Sequence, residues 1–182
     1  MKNFFKLNPL KIALLVFMFS LASLPLVREA QADGPPTLTA VSAVLIDQAS
    51  GKVIYEKGMH DEHYPASTTK VLTALLALEN MELDYKITLP DDYVNVGETN
   101  IGLRAGARQT AEELLMATML YSANDAAQAL AIGAAGSEQA FVDMMNQRVA
   151  ELGLQHTHFA NPHGLHSEDH YTSAYDLAMI AR

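Results

Sequence analysis

Residues 71–78, VLTALLAL, put large apolar side chains at Val71, Leu72, Leu75, Leu76 and Leu78, almost all the way round a helix. A surface helix shows only an apolar stripe, so a helix that is greasy on every side must be wrapped by the rest of the protein. This segment demands a fold built round a buried central helix. Ser67 and Lys70 stand at its entrance, three positions apart and therefore on one helical face. An amine buried there is costly unless the chain uses it.

A helix beginning at Pro65 or Ala66 places Ser67 in the first turn, where unpaired N–H groups and the positive end of the helix dipole favour developing negative charge. An ordinary lysine, with a pKa of about 10.4, has about one molecule in 2,500 neutral at pH 7. Burial and the same dipole disfavour the ammonium and lower that pKa. Lys70 can then accept the Ser67 proton. Ser-x-x-Lys alone matches by chance about once in a chain of this length, so a second element must decide. That element is MLYSANDAAQALA, residues 119–131. Ser122 and Asn124 sit at a break between two helices, Ser122 suited to carrying a proton and Asn124 to hydrogen bonding the lysine and a substrate amide. The plainer alternative is that Asn124 or Asp125 caps the next helix; both roles are compatible.

The chain has 182 residues, 49% of them hydrophobic, about the size of one domain. Lys2, Lys6 and Lys11, the apolar run 12–27 and Ala30-Gln31-Ala32 read as a secretory signal peptide over residues 1–32. A membrane anchor is the alternative, but the run is short for a bilayer span and contains Pro25. Removing the leader takes four of the 12 basic residues and one of the 21 acidic ones, leaving 8 against 20, net −12. Such a surface repels phosphate backbones, so no nucleic-acid partner is expected. No cysteine is present, which excludes disulfides and thiolate metal sites. An exported domain of this kind must be stable through its core alone.

After Gly34-Pro35-Pro36, two Val/Ile-rich runs, 41–46 and 52–56, flank the turn-forming 47–51 and read as a hairpin. Helical periodicity then dominates. Thr110 with Glu113 forms a capping box for a helix to about Leu120, an Ala-rich helix runs from Asp125 to Ala135 before Gly136, and Ser137 caps a helix to Leu152 before Gly153. A last helix starts near Ser173 and is still running at Arg182. Lys86–Leu89 is at best a short strand, and no other convincing strand follows Glu56. One hairpin is marginal in water, so the expectation is a fragment whose remaining strands lie beyond Arg182. Met116, Met119, Met144 and Met145, with Phe141 and Val149, are expected to pack in the core.

STTK at Ser67–Lys70 and SAN at Ser122–Asn124 resemble the first two motifs of penicillin-binding proteins and serine beta-lactamases. SAVLIDQASGKVIYEK, PASTTKVLTALLALE, SANDAAQALA, FVDMMNQRVAELGLQHTHFANPHGLH and HYTSAYDLAMIAR resemble one branch: the D-alanyl-D-alanine carboxypeptidases of peptidase family S11. Together these stretches cover nearly everything from Val41 to Arg182. The resemblance implies an α/β (α+β) transpeptidase-like fold, an antiparallel sheet flanked by helices plus a helical lobe, with residues 33–182 as part of the catalytic domain. It implies Ser67 as acyl-ester nucleophile, Lys70 as proton acceptor, Ser122 in proton transfer and Asn124 in substrate binding. It implies a peptidoglycan stem peptide ending in D-Ala-D-Ala as substrate, beta-lactams as inhibitors, no cofactor, and a place in the periplasm or on the outer face of the cytoplasmic membrane. Any membrane association would come through a carboxy-terminal segment past Arg182.

Two departures stand out. Ala123 replaces the glycine usual in this branch, a slight narrowing of the loop, and no Lys-Thr-Gly occurs, which leaves these 182 residues without the motif that helps bind the substrate carboxylate. Three rival readings follow. His156, His158, His163, His166 and His170, with Glu168 and Asp169, offer nitrogen and oxygen ligands for zinc, but the cluster spans a loop broken by Asn161-Pro162 and Gly164, and no metal is expected. A serine beta-lactamase would need a glutamate to activate water, for which Glu168 is the nearby candidate. A non-catalytic cell-wall binding domain is the third.

Overall fold

Asp47 organises the first turn by accepting from the Ser50 amide at 2.8 Å and from the Ser50 hydroxyl, and so joins β1 (Ala43–Ile46) to β2 (Val53–Lys57). The two strands pair antiparallel, Ala43 opposite Lys57, with an irregularity between Leu45 and Ile46. The computed structural model describes residues 34–182, and Leu38–Arg182 form one unit; the signal peptide expected at 1–32 lies outside the described residues.

A 3-10 turn over Ala66–Thr69 leads into α1 (Lys70–Asn80). Next come β3 (Lys86–Thr88), β4 (Arg108–Thr110), α2 (Ala111–Leu120), α3 (Asn124–Ala135), α4 (Glu138–Glu151) and α5 (Ala174–Ala181). The helix starts follow the capping signals. Thr110 and Glu113 make both halves of the capping box, Ser137 accepts from the Ala140 amide, and Ser173 from the Asp176 amide. Gly136 closes α3 in the left-handed conformation, φ +83°, as expected of a helix-ending glycine.

Helix α1 is the axle. Ala74 and Ala77 face one core cluster with Leu114, Leu115, Ala126, Leu130 and Ile87. Leu72 and Leu76, each 1% exposed, face a second with Phe141, Met145, Val149, Phe159 and Ile180. Fully burying each leucine is worth about 1.5–3 kcal/mol. The alanine-rich α3 touches both clusters, because small side chains let helices approach closely.

Three expectations need correction. A second antiparallel pair exists, β3 with β4, Lys86 opposite Thr110; Arg-Gln-Thr carries no apolar alternation, so only pairing with β3 makes β4 a strand. Met116 and Met119 are 55% and 52% exposed, whereas Met145 is fully buried; α2 is apolar on several sides, so its sequence gives no direction and Ala111, Leu114, Leu115 and Thr118 take the core face. Leu78, assigned to the buried face of α1, is exposed at the far end of the helix.

Candidate active site

Ser67 occupies the second position of the 3-10 turn and is exposed, while Lys70, first residue of α1, is 2% exposed. The Lys70 Nζ lies 3.2 Å from Ser67 Oγ, 2.8 Å from Asn124 Oδ1 and 2.6 Å from the carbonyl oxygen of His163. Two of these three partners are carbonyl oxygens, which can only accept. The ammonium donates one N–H to each of the three; once neutral, the amine keeps two for the carbonyl oxygens and can turn its lone pair to the Ser67 hydroxyl. Burial pushes the Lys70 pKa down to about 8, against the carboxylate of Glu98, which holds it up. At that value about one lysine in ten is neutral at pH 7.

The turn is braced from behind. Thr69 Oγ1 and His170 Nε2 lie 2.7 Å apart, and His170 Nδ1 accepts from the Ala160 amide at 3.0 Å, so Nε2 carries the proton and donates to Thr69. Thr73 donates to the Pro162 carbonyl at 2.6 Å. Asn161 Oδ1 accepts from Gly164 N at 2.7 Å and Asn161 Nδ2 donates to the Leu165 carbonyl at 2.8 Å, folding 161–165 into a tight loop. Gly164, at φ +90°, lies so close to Ala66 that a Cβ would fall 1.9 Å from its carbonyl oxygen. Ala66 itself has φ +49°. The NPHGL loop therefore both shapes the turn that carries Ser67 and supplies an acceptor to the lysine.

Asn124 is buried at the start of α3. Its amide N–H donates to the Thr99 carbonyl at 2.8 Å and its Nδ2 to the Gly97 carbonyl at 3.4 Å. It does not cap α3; the cap is Ala123, which makes no side-chain bond. Ala123 has φ −65° and is fully buried, so its methyl packs without backbone strain and no glycine is required. The left-handed residue is Ser122, φ +59°. Its hydroxyl makes no hydrogen bond with Ser67 or Lys70 among the described residues, so the structure brings three of the four expected side chains into contact.

The histidines have separate tasks. His163 contributes its backbone, His170 braces Thr69, His166 meets Tyr64 edge to face at 4.5 Å, His158 bonds the Asp169 carbonyl and His156 faces Glu62. Among the described residues no three His, Asp or Glu side chains converge as a metal would require. Glu168 lines a cleft with Glu62, His63, Tyr64 and Tyr171; the acid that acts on Lys70 is Glu98. Sequence reasoning missed Glu98, the His163 carbonyl and the Thr69–His170 pair. The Asn-Pro-x-Gly-Leu turn was the signal for the second; nothing local marks the other two.

The fold, with a serine, a lysine and an asparagine in contact beside its central helix, is that of the penicillin-binding proteins. The chain belongs to the Peptidase S11 family, D-alanyl-D-alanine carboxypeptidase, whose pattern matches residues 29–182. It is 40% identical over 148 residues to the D-alanyl-D-alanine carboxypeptidase DacF of Bacillus subtilis, covering 79% of this chain and 38% of that protein. It is 37% identical over 161 residues to DacA of Escherichia coli K12, covering 82% and 40%. Among solved structures it resembles DacD of Francisella tularensis at a TM-score of 0.74 and 36% identity, covering 80% of this chain and 37% of that one. The D-alanyl-D-alanine carboxypeptidase of Mycobacterium tuberculosis matches at 0.75 and 32%, covering 83% and 58%. The chain spans about two-fifths of the length of the first two relatives.

Proposed function

We infer that the protein is a serine-type D-Ala-D-Ala carboxypeptidase that trims peptidoglycan stem peptides. The observation that carries the reading is the Lys70 amine, buried and held by two carbonyl oxygens, 3.2 Å from an exposed serine hydroxyl.

Ser67 Oγ attacks the carbonyl between the two terminal D-alanines as its proton passes to Lys70. The carbonyl oxygen becomes an oxyanion near the Ser67 amide, which has no intrahelical partner at the start of a helical turn; one such donor is typically worth about 10²- to 10³-fold in rate. As the tetrahedral intermediate collapses, the C–N bond breaks and the departing D-alanine nitrogen takes the proton that Lys70 received from Ser67, with Ser122 as the carrier where the bound substrate closes the gap between them. Water then attacks the acyl-enzyme ester, its proton going to Lys70; as the ester C–O bond breaks, Lys70 returns that proton to Ser67 Oγ and the shortened peptide leaves. Asn124 holds the lysine and orients the substrate amide. Beta-lactams, cyclic amides, acylate Ser67 by the same attack. A wall substrate and the signal peptide read from residues 1–32 of the sequence support a location outside the cytoplasm.

The test is to treat the complete gene product with a fluorescent penicillin and digest it. A mass increase on the peptide bearing Ser67, absent in Ser67→Ala, supports the reading; label on another residue refutes it. Turnover of a D-Ala-D-Ala peptide exceeding turnover of penicillin separates carboxypeptidase from beta-lactamase.

A further inference from the structure

Next to Asn124 stands a carboxylate that the chemistry above does not use. Asp125 is fully buried and forms no ion pair among the described residues. A buried carboxylate without a cation is costly unless hydrogen bonds replace the lost water. Here four N–H donors do so: Ala126 N at 2.9 Å and Ile101 N at 3.1 Å on Oδ1, Leu103 N at 2.9 Å and Asn95 Nδ2 at 3.1 Å on Oδ2. Three of the four come from residues 95–103, in the loop between β3 and β4. Asn95 ties that loop internally, its Oδ1 accepting from Gly97 N at 2.9 Å.

The same loop returns two contacts to the neighbouring residue, through the Thr99 and Gly97 carbonyls that accept from the Asn124 backbone and side chain. A carboxamide can flip, exchanging its acceptor and donor ends. With Nδ2 directed at Gly97, Oδ1 is turned toward Lys70; without that anchor, the donor end can face the amine and the lysine loses an acceptor. Between the two anchors Glu98 is held at φ +54°, a conformation a non-glycine residue keeps only where its surroundings impose it.

We propose that Asp125 is a positioning residue: its buried carboxylate pins the 95–103 loop, and the loop fixes the orientation of the Asn124 amide that accepts from Lys70. The proposal rests on the reading of Ser67 and Lys70 given above. Asp125→Asn keeps the shape but sets an N–H₂ against an N–H, which frees the loop.

The experiment is a double-mutant cycle in the complete gene product, reading the second-order acylation rate with a fluorescent penicillin. Asn124→Ala and Asp125→Asn should each lower that rate by about 10- to 100-fold, the scale expected from a group misplaced by about 1 Å. Combined, they should cost less than about threefold beyond the larger single effect, because groups acting as one unit are not additive. The Ile101 and Leu103 amides should lose hydrogen-exchange protection in Asp125→Asn. Full multiplication of the two effects, or wild-type acylation by Asp125→Asn, overturns the proposal. Should Asp125→Asn fail to fold, Asn95→Ala cuts one link between loop and carboxylate, and the same non-additivity with Asn124→Ala decides. If the wild type is not acylated, the reading of the site falls, and the Lys70 titration followed by NMR of ¹³C-labelled lysine judges the proposal separately. A titration shifted in Asp125→Asn supports it, and an unchanged one overturns it.

Discussion

Replacing Gly164 by alanine tests whether the NPHGL loop sets the position of Ser67, the nucleophile of the proposed reaction. The added Cβ would lie 1.9 Å from the Ala66 carbonyl oxygen, 2.4 Å from its carbon and 3.1 Å from the Ser67 nitrogen. Real Cβ atoms do not come within 3.0 Å of such neighbours, so one backbone must retreat by about 1 Å or more. The obstructing atoms are backbone, and no flexible side chain is there to yield. Misplacing a reacting group by about 1 Å costs on the order of 10²-fold in rate. The left-handed φ of +90° adds conformational strain of about 1–2 kcal/mol, which lowers Tm by several degrees at about 2–4 °C per kcal/mol. Gly153 is the control, since it has φ +69° with nothing within 4 Å of a Cβ. Gly153→Ala should share the Tm loss and keep the acylation rate. The assay is the second-order rate of labelling by a fluorescent penicillin, with melting curves on the same samples. Labelling of Gly164→Ala within about threefold of wild type would refute the reasoning, because the turn would then tolerate the displacement that the contact demands.

Acylation should rise with pH through a midpoint near the Lys70 pKa of about 8, because the neutral amine is the base; a rate flat from pH 6 to 9.5 contradicts that role. Glu98→Gln removes the charge that opposes the effect of burial, so the midpoint should move to lower pH. Burial, helped by His163 and His158, holds His170 down to about 4 from 6.5, so between these values the unfolded chain binds a proton that the folded protein does not. Stability should therefore fall as pH drops from about 6.5 to 4, by up to about 3 kcal/mol from this group, and urea melts of His170→Gln should lack that portion of the loss. Leu76→Ala, at a 1% exposed position between α1 and α4, should cost about 2–5 kcal/mol in the same melts while the pH midpoint of acylation stays in place.

The helices were legible because their signals are local. Thr110, Ser137 and Ser173 each accept from an amide three residues on, and Gly136 supplies the left-handed stop. The hairpin was legible for the same reason, through Asp47 and Ser50. Strand β4 was not, since three polar residues become a strand only by pairing with β3. Met116 and Met119 were misplaced because apolar character says that a residue can be buried, while which face of α2 meets α1 and α3 is settled by packing. At the site, Ser67, Lys70 and Asn124 were readable from motif spacing, whereas Ser122 stands in the right segment without reaching the lysine among the described residues.

By itself the sequence determined that a buried helix must carry a serine and a lysine on one face at its entrance, because a 3.6-residue repeat and an all-round apolar run allow little else. Only the tertiary structure decided how far the pKa of that lysine falls. Burial beneath segments 54 and 93 residues away in the chain favours its neutral form, and the same segments bring the Asn124 and His163 oxygens that accept from it. Desolvation and acceptor geometry arise from contacts between distant segments, so they exist only once the chain has closed round α1.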